Sequence, residues 1–389
     1  MNPELARLII GHVFLHGAMA GMRLAAPLWA LHAGYSPLVV GMLLASFALT
    51  QVFIALPAGR FAEKYGLKRP VRWSIAVSTS GALLAACFPN IVTLAVAAMC
   101  VGGATCGGVI ALQRHIGRTV TGQTELKQAF SWISLGPAMA NFIGPVTAGF
   151  LIDQGGFRVA FFVMAAFPLT MWLWMRNTRE PILAVASSSA VKNRVWDLIK
   201  EPMLRRVLLV NWFLSACWDV HTFVVPILGH ERGYSASTIG FILGAFAISA
   251  TAVRGIMPFF MARLTEWKVV VGAMLISSLI FGVYPFLPNP WTMTLVSMLL
   301  GFTLGSVQPM IMSALHRITP DARQGETLAL RLMVINASSV LMPMLFGAGG
   351  AAFGVSLVFW SVSAWVGLGS RVAYGMRSLE DNLEVNKGL

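Results

Sequence analysis

A few side chains that can carry charge stand inside long apolar runs of this sequence. Asp219 has Ser215 four residues before it and Thr222 three residues after it, so the three share one helical face. His221, two residues on, points elsewhere. His12, His16 and Arg23 follow at spacings of four and seven, again on one face. Arg254 sits in another run, with Thr251 and Pro258 on its side. An ionisable group in a membrane span costs about 2.5–3.5 kcal/mol on insertion scales, so each implies a function. Asp219 can take up and release a proton and is the candidate carrier, with His12 as a second titratable group. The other reading makes Asp219 a fixed counter-ion to Arg23 or Arg254. An arginine fork offers fixed donors to an anionic or carbonyl-rich group. Arg23, His16, Arg254, Trp218 and Asn336 are therefore candidates for substrate binding, to which Gln51, Gln113, Gln308 and Trp212 could add. The plainer alternatives are an Arg23 that snorkels outward and a His12 that only packs.

The elements that position these groups are membrane helices. Hydrophobic residues make up 57% of the 389 and charged residues only 11%, against about 25% charged in a soluble domain. The apolar runs have the length that crosses a bilayer as helix, and the alternation of barrel strands is missing. The fold class expected is an all-α membrane protein with twelve transmembrane helices in two pseudo-symmetric six-helix bundles. The bundles are residues 1–175 and 207–389, the latter with a short cytoplasmic tail. A linker, residues 176–206, joins them and carries an amphipathic helix over Val191–Lys200.

An internal repeat supports the two halves. Gly-Tyr-Ser-x-x-x-x-Gly at Gly34–Gly41 returns at Gly233–Gly240, 199 residues on. At the same shift Pro27 falls on Pro226, Phe47 on Phe246 and Gly102 on Gly301. Repeats of this length in an apolar chain mark two-halved transporters. The net charge of +13 could suggest nucleic acid, but its distribution does not. Of the 28 Lys and Arg, all but Arg23, Arg158, Arg232 and Arg254 fall on alternate connections. That asymmetry places both termini in the cytoplasm, in what is expected to be a bacterial inner membrane. The four cysteines fit no zinc or redox spacing. No phosphate-binding glycine loop is present, so ATP is not expected to drive the protein directly; no enzyme activity, metal or other cofactor is expected.

Twelve spans in two halves, with a basic hairpin after the second, resemble the major facilitator superfamily. The most specific part is Gly59–Arg69, where Gly59, Glu63, Lys64, Gly66, Lys68 and Arg69 match the family's inner-loop signature, with glutamate for the usual aspartate. The resemblance implies a gating latch, in which Glu63 meets a positive partner or the start of the eleventh span near Gln324–Thr327. It also implies that the first and seventh spans line a central cavity. Gly136-Pro137, Asn141, Gly144-Pro145 and Gly149 resemble the glycine–proline signature of exporters, which adds Gly144 and Pro145 to the gating set. Plain helix packing is the other reading of those glycines. The arginine that drug exporters carry early in the fourth span has no counterpart, with Met99 standing four residues before Gly103. The functional expectation is a monomeric secondary active transporter that moves a small organic, anionic solute by alternating access, coupled to protons. The alternative is proton-coupled efflux of lipophilic cationic drugs. From a different class, a membrane sensor or enzyme would need clustered ligands that His12 and His16 alone do not provide.

Overall fold

The computed structural model describes residues 3–119, 132–133, 135–176, 178, 195–257, 265–319 and 323–377. Most of the linker, including Val191–Arg194 of its expected helix, lies outside the described residues, as do Pro258 and the tail beyond 377. The described part of that helix, Val195–Lys200, is a 3-10 turn with Asp197 paired to Lys200. Every other long element is an α-helix: α1 Pro3–His32, α2 Pro37–Tyr65, α3 Lys68–Cys87, α4 Ile91–Thr119, α5 Leu135–Met175, α6 Pro202–Glu231, α7 Ala236–Ile256, α8 Glu266–Val283, α9 Pro290–Ile318, α10 Gln324–Phe353 and α11 Val355–Tyr374.

Among the described residues, ten helices are long and apolar enough to cross a membrane. The α3 helix is 20 residues long, but Lys68, Arg69, Arg72 and four hydroxyl side chains lower its hydropathy. The α5 helix is 41 residues long, about 60 Å at 1.5 Å per residue and twice the thickness of a hydrocarbon core. It breaks at Gly156, whose φ of 79° and ψ of 176° are closed to other residues. The α10 helix ends in the same way, at Gly354 with φ 85° and ψ 159°, 198 residues later.

The repeat extends to hydrogen bonds. Gly34 and Gly233, at φ 82° and 70°, end α1 and α6 with the same turn. In one, Gly34 N–H donates to Leu31 and Tyr35 N–H to Ala30; in the other, Gly233 donates to His230 and Tyr234 to Gly229. Further along, the register differs by one helical turn. Gly102 of α4 meets the Phe47 carbonyl of α2. In the second half the close approach falls at Gly305 of α9, against the Ala250 carbonyl of α7, four residues beyond the positions that the 199-residue shift predicts.

The described residues form two compact units. The first is Met1–Ser188 with Val225–Ile248; the second is Ser189–Val224 with Ser249–Leu389. In the first, α1 packs along α5, and α4 contacts α2 and α3. Leu8, Leu15, Leu67, Val71, Leu112 and Met171 form part of one buried cluster there. In the second, α8 lies against α9 and α11, and α10 against α11.

Candidate functional site

In the second unit, α6 and α10 bring Asp219 against two serines. Asp219 is 5% exposed. Its carboxylate accepts from Ser338 Oγ at 3.1 Å and from Ser339 Oγ at 3.1 and 3.2 Å. A hydroxyl both donates and accepts, so rotation of these groups can follow either protonation state of the carboxylate. Thr222, expected on the Asp219 face, instead donates to the carbonyls of Trp218 and Asp219 in its own helix. His221 turns to another side, where its Nε2 is 3.0 Å from Ser297 Oγ, itself 2.7 Å from the Tyr284 hydroxyl.

Arg254 of α7 lies 5.8 Å from the centre of the Trp218 ring. Asn336 is half-buried on α10. Trp212 does not join this cluster: with Phe346, Phe353 and Trp365 it lines an apolar pocket of about 460 Å³ between α6, α10 and α11. That lining carries no charged side chain and offers no group for proton coupling.

In the first unit, His12 and His16 of α1 stand with ring centres 5.8 Å apart, and Arg23 follows seven residues on in the same helix. His12 is 2% exposed, and neither ring nitrogen has a hydrogen-bond partner among the described residues. Its ring packs on Gly136 of α5, where an added Cβ would lie 2.8 Å from Nδ1. Further along, Gly144 meets α1 backbone: a Cβ there would be 2.6 Å from the Gly17 carbonyl and 2.8 Å from Gly21 N. The other side of this α5 face takes α7, with Gly240 against the Pro145 carbonyl and Gly149 against Ala236. Gly144 and Pro145, expected in gating, lie where α5 meets α1 and α7.

The basic hairpin is built around two pairings. Glu63 and Arg114 of α4 form an ion pair at 2.7 Å, and the same guanidinium donates to the Gly59 carbonyl at 3.1 Å. Glu63 is half-exposed, so the pair contributes below about 1 kcal/mol and acts through geometry. Lys64 and Arg69 both stack on Tyr65, at 5.2 and 5.0 Å. Gly66 turns the chain at φ 72°, and Lys68 opens α3. The second unit has its own such pair, Arg317 of α9 with Glu266 at the start of α8.

Sequence reasoning misses three residues. It puts Arg331 on an inner connection, but this side chain is 8% exposed in α10, donating to Asn211 Oδ1 at 3.1 Å and to Gln308 Oε1 at 2.5 Å. Its spacing of seven from Ser338 is the available signal, since it puts both on one face. Arg114 reads from the sequence only as a topology charge. Asp153 carries no signal there: its two oxygens accept from the backbone N–H groups of Ala236 at 3.0 Å and Ser237 at 2.8 Å, capping α7.

The chain as a whole has counterparts among known proteins. The model of the Major Facilitator Superfamily matches residues 8–291 and 207–381. The chain belongs to the Major Facilitator Superfamily. A relative within it is the tetracycline resistance protein, class B, of Escherichia coli, 23% identical over 84% of this chain and 82% of that protein. Another is the multidrug resistance protein MdtG of Citrobacter koseri, 26% identical over 59% of each chain. The match to MdtG thus covers about three fifths of that protein's length. Superfamily folds are also close in space. A point mutant of the nucleoside transporter NupG superposes with a TM-score of 0.78 at 13% identity, over 96% of this chain and all of that one. A bacterial homolog of the human lysosomal transporter Spinster gives 0.78 at 13% identity, over 95% of each.

Proposed function

We propose that this superfamily member is a secondary active efflux transporter for small drug-like organic molecules, driven by protons through Asp219. Two transport readings follow from the sequence, an anionic solute and drug efflux. The names of the tetracycline and multidrug relatives support efflux, as does the glycine–proline face of α5. The observation that carries the proton-coupled mechanism is the Asp219 carboxylate, buried in α6 and held by the hydroxyls of Ser338 and Ser339. In the cycle a proton bound at Asp219 would be exchanged for substrate as the molecule alternates its access. Arg23, His16, Trp218, Arg254 and Asn336 are proposed to contact substrate, and His12 to take part in proton coupling. The Gly59–Arg69 hairpin, through Glu63, is proposed to gate the cytoplasmic side.

The proposal includes twelve spans in two bundles, residues 1–175 and 207–389, with residues 176–206 between them and both termini cytoplasmic. The break of α5 at Gly156 supports this count, because it divides one long helix into two lengths that each cross a bilayer. The working form is a monomer in a bacterial inner membrane.

The test is transport in proteoliposomes carrying an imposed pH gradient. Addition of tetracycline or an ethidium-type dye is expected to dissipate the gradient with wild type. Asp219→Asn is expected to lose gradient-driven transport by about tenfold or more while still binding drug. Full gradient-driven transport by Asp219→Asn would overturn the role of this carboxylate. No drug-dependent signal from wild type would overturn drug efflux.

A further inference from the structure

Two imidazoles meet at one end of the first unit. His32 closes α1, and His230 lies in the last turn of α6, each just before a glycine of positive φ. Residues 225–248 belong to the first unit, so the contact lies within it. The ring centres are 4.6 Å apart, with 50° between their planes. Phe157 of α5 packs on the His32 ring at 5.3 Å. His32 Nδ1 is 3.1 Å from the Leu28 carbonyl, and His230 bonds the Leu31 carbonyl. A carbonyl oxygen only accepts, so each ring donates an N–H there and keeps one basic nitrogen. Imidazole takes up its proton near pH 6.5, so modest acidity changes its charge. Two protonated rings at this separation repel, and a like charge nearby disfavours the second proton. His32 is exposed, so protons reach it from water. The other charged groups at this end are Glu231 and Arg232 beyond His230, Arg158 next to Phe157, and Asp153, which accepts from the start of α7. Tyr35 and Tyr234 follow in the two turns.

We propose that His32 and His230 form a latch between the outer ends of α1 and α6, which holds at neutral pH and opens when the outer solution is acid. The latch rests on the efflux reading, in which both termini are cytoplasmic, α1 and α6 both run outward, and the two helices belong to different bundles. Neutral rings pack against each other and keep the two ends together. When both rings carry a proton, like charges stand side by side and the ends part. The sign follows from linkage. The pair takes its second proton more readily when the ends are apart, so acid favours separation. The contact is complete above about pH 6.5 and weakens as the pH falls below it. Under an inward-directed proton gradient the outer solution is the acid one. The outward-open form, which would release drug and admit a proton to Asp219, is then favoured where protons are plentiful. The two histidines sense the outer pH, and Asp219 carries the proton that is exchanged.

The experiment measures amide hydrogen exchange of purified full-length protein in a neutral detergent at pH 7.5 and 5.5, with the intrinsic pH dependence of exchange divided out. In wild type the last turns of α1 and α6 are expected to exchange faster at the acid pH by about threefold or more. His32→Gln and His230→Gln are each expected to hold the two pH values within about 1.5-fold, because one charged ring alone meets no like charge. His230→Lys, which keeps a positive charge, is expected to restore the acid step, since His32 still titrates beside it. Glu231→Gln, which removes the adjoining carboxylate, is expected to keep the wild-type step. Should the His230 variants fail to fold, His32→Gln decides, since that exposed side chain makes its hydrogen bond within its own helix. Equal exchange at both pH values in wild type, or a full step in His32→Gln, overturns the latch. A step lost in Glu231→Gln overturns its assignment to the two histidines. Drug-dependent dissipation of a pH gradient is measured on the same preparations. A wild-type acid step without a drug response refutes efflux alone, and a drug response without the acid step refutes the latch alone.

Discussion

Glycines 59 and 66 belong to one signature but face different physical demands. A side chain at Gly59 would meet nothing within 4 Å, and the residue lies inside α2. Gly59→Ala is therefore expected to raise stability by about 0.5–1 kcal/mol through helix propensity. Gly66 sits at φ 72° and ψ −146°, so Gly66→Ala is expected to destabilise by about 1–3 kcal/mol. Thermal unfolding in detergent, with midpoints moving in opposite directions, checks both. The same contrast decides what a sequence can disclose about single residues. Asp219 was legible because a lone acid in an apolar run is costly and therefore rare. Ser338 and Ser339 were not, because hydroxyls are common in spans and the pairing joins residues 119 and 120 apart. Arg331 was not, because a charge near the end of an apolar run reads the same whether it reaches outward to water or turns inward to Asn211.

The seam between α1 and α5 is set at the scale of elements. Small residues recur along the α5 face, and where they fall the backbones approach closely enough that no larger residue fits. Gly144→Leu would drive carbon into the Gly17 carbonyl and the Gly21 nitrogen, atoms that cannot move aside as a side chain can. The expected cost is about 1–3 kcal/mol or more, seen as a lower unfolding midpoint and a reduced yield of folded protein. The glycine–proline pattern was legible as a packing face, since small residues spaced along a membrane helix imply close neighbours. Which helices it receives was not legible, because α1 and α7 come from distant parts of the chain and no local pattern names them. The hairpin shows the same division. Its turn follows from Gly66, whereas Arg114, which holds Glu63, lies 51 residues away on α4.

At the scale of the whole molecule, the repeat was the most legible feature. Gly34 and Gly233 must both be glycine to end their helices at positive φ, so the duplicated turn survives in the letters. The helix–helix contacts that follow have slipped by a turn, because packing tolerates exchange of one small residue for another along the same face. Asp153 contributes at this scale by tying the end of the first half of α5 to the N-terminus of α7. A carboxylate on two backbone N–H groups at a helix start contributes about 1 kcal/mol. Asp153→Ala is expected to lower the unfolding midpoint by a few degrees and to speed hydrogen exchange at Ala236 and Ser237. Protection at those two amides equal to wild type would show that packing at Gly149 and Gly240 suffices.

The boundary of the first unit does not follow the order of the chain. Residues 225–248 are synthesised after the linker, yet they are seated with the first 188 residues. During synthesis the first unit therefore cannot be completed when residues 1–188 alone have emerged. It waits for a segment that arrives later, the end of α6 and most of α7. Each of those helices belongs to one unit for part of its length and to the other for the rest, so the two units cannot fold as independent beads on a string.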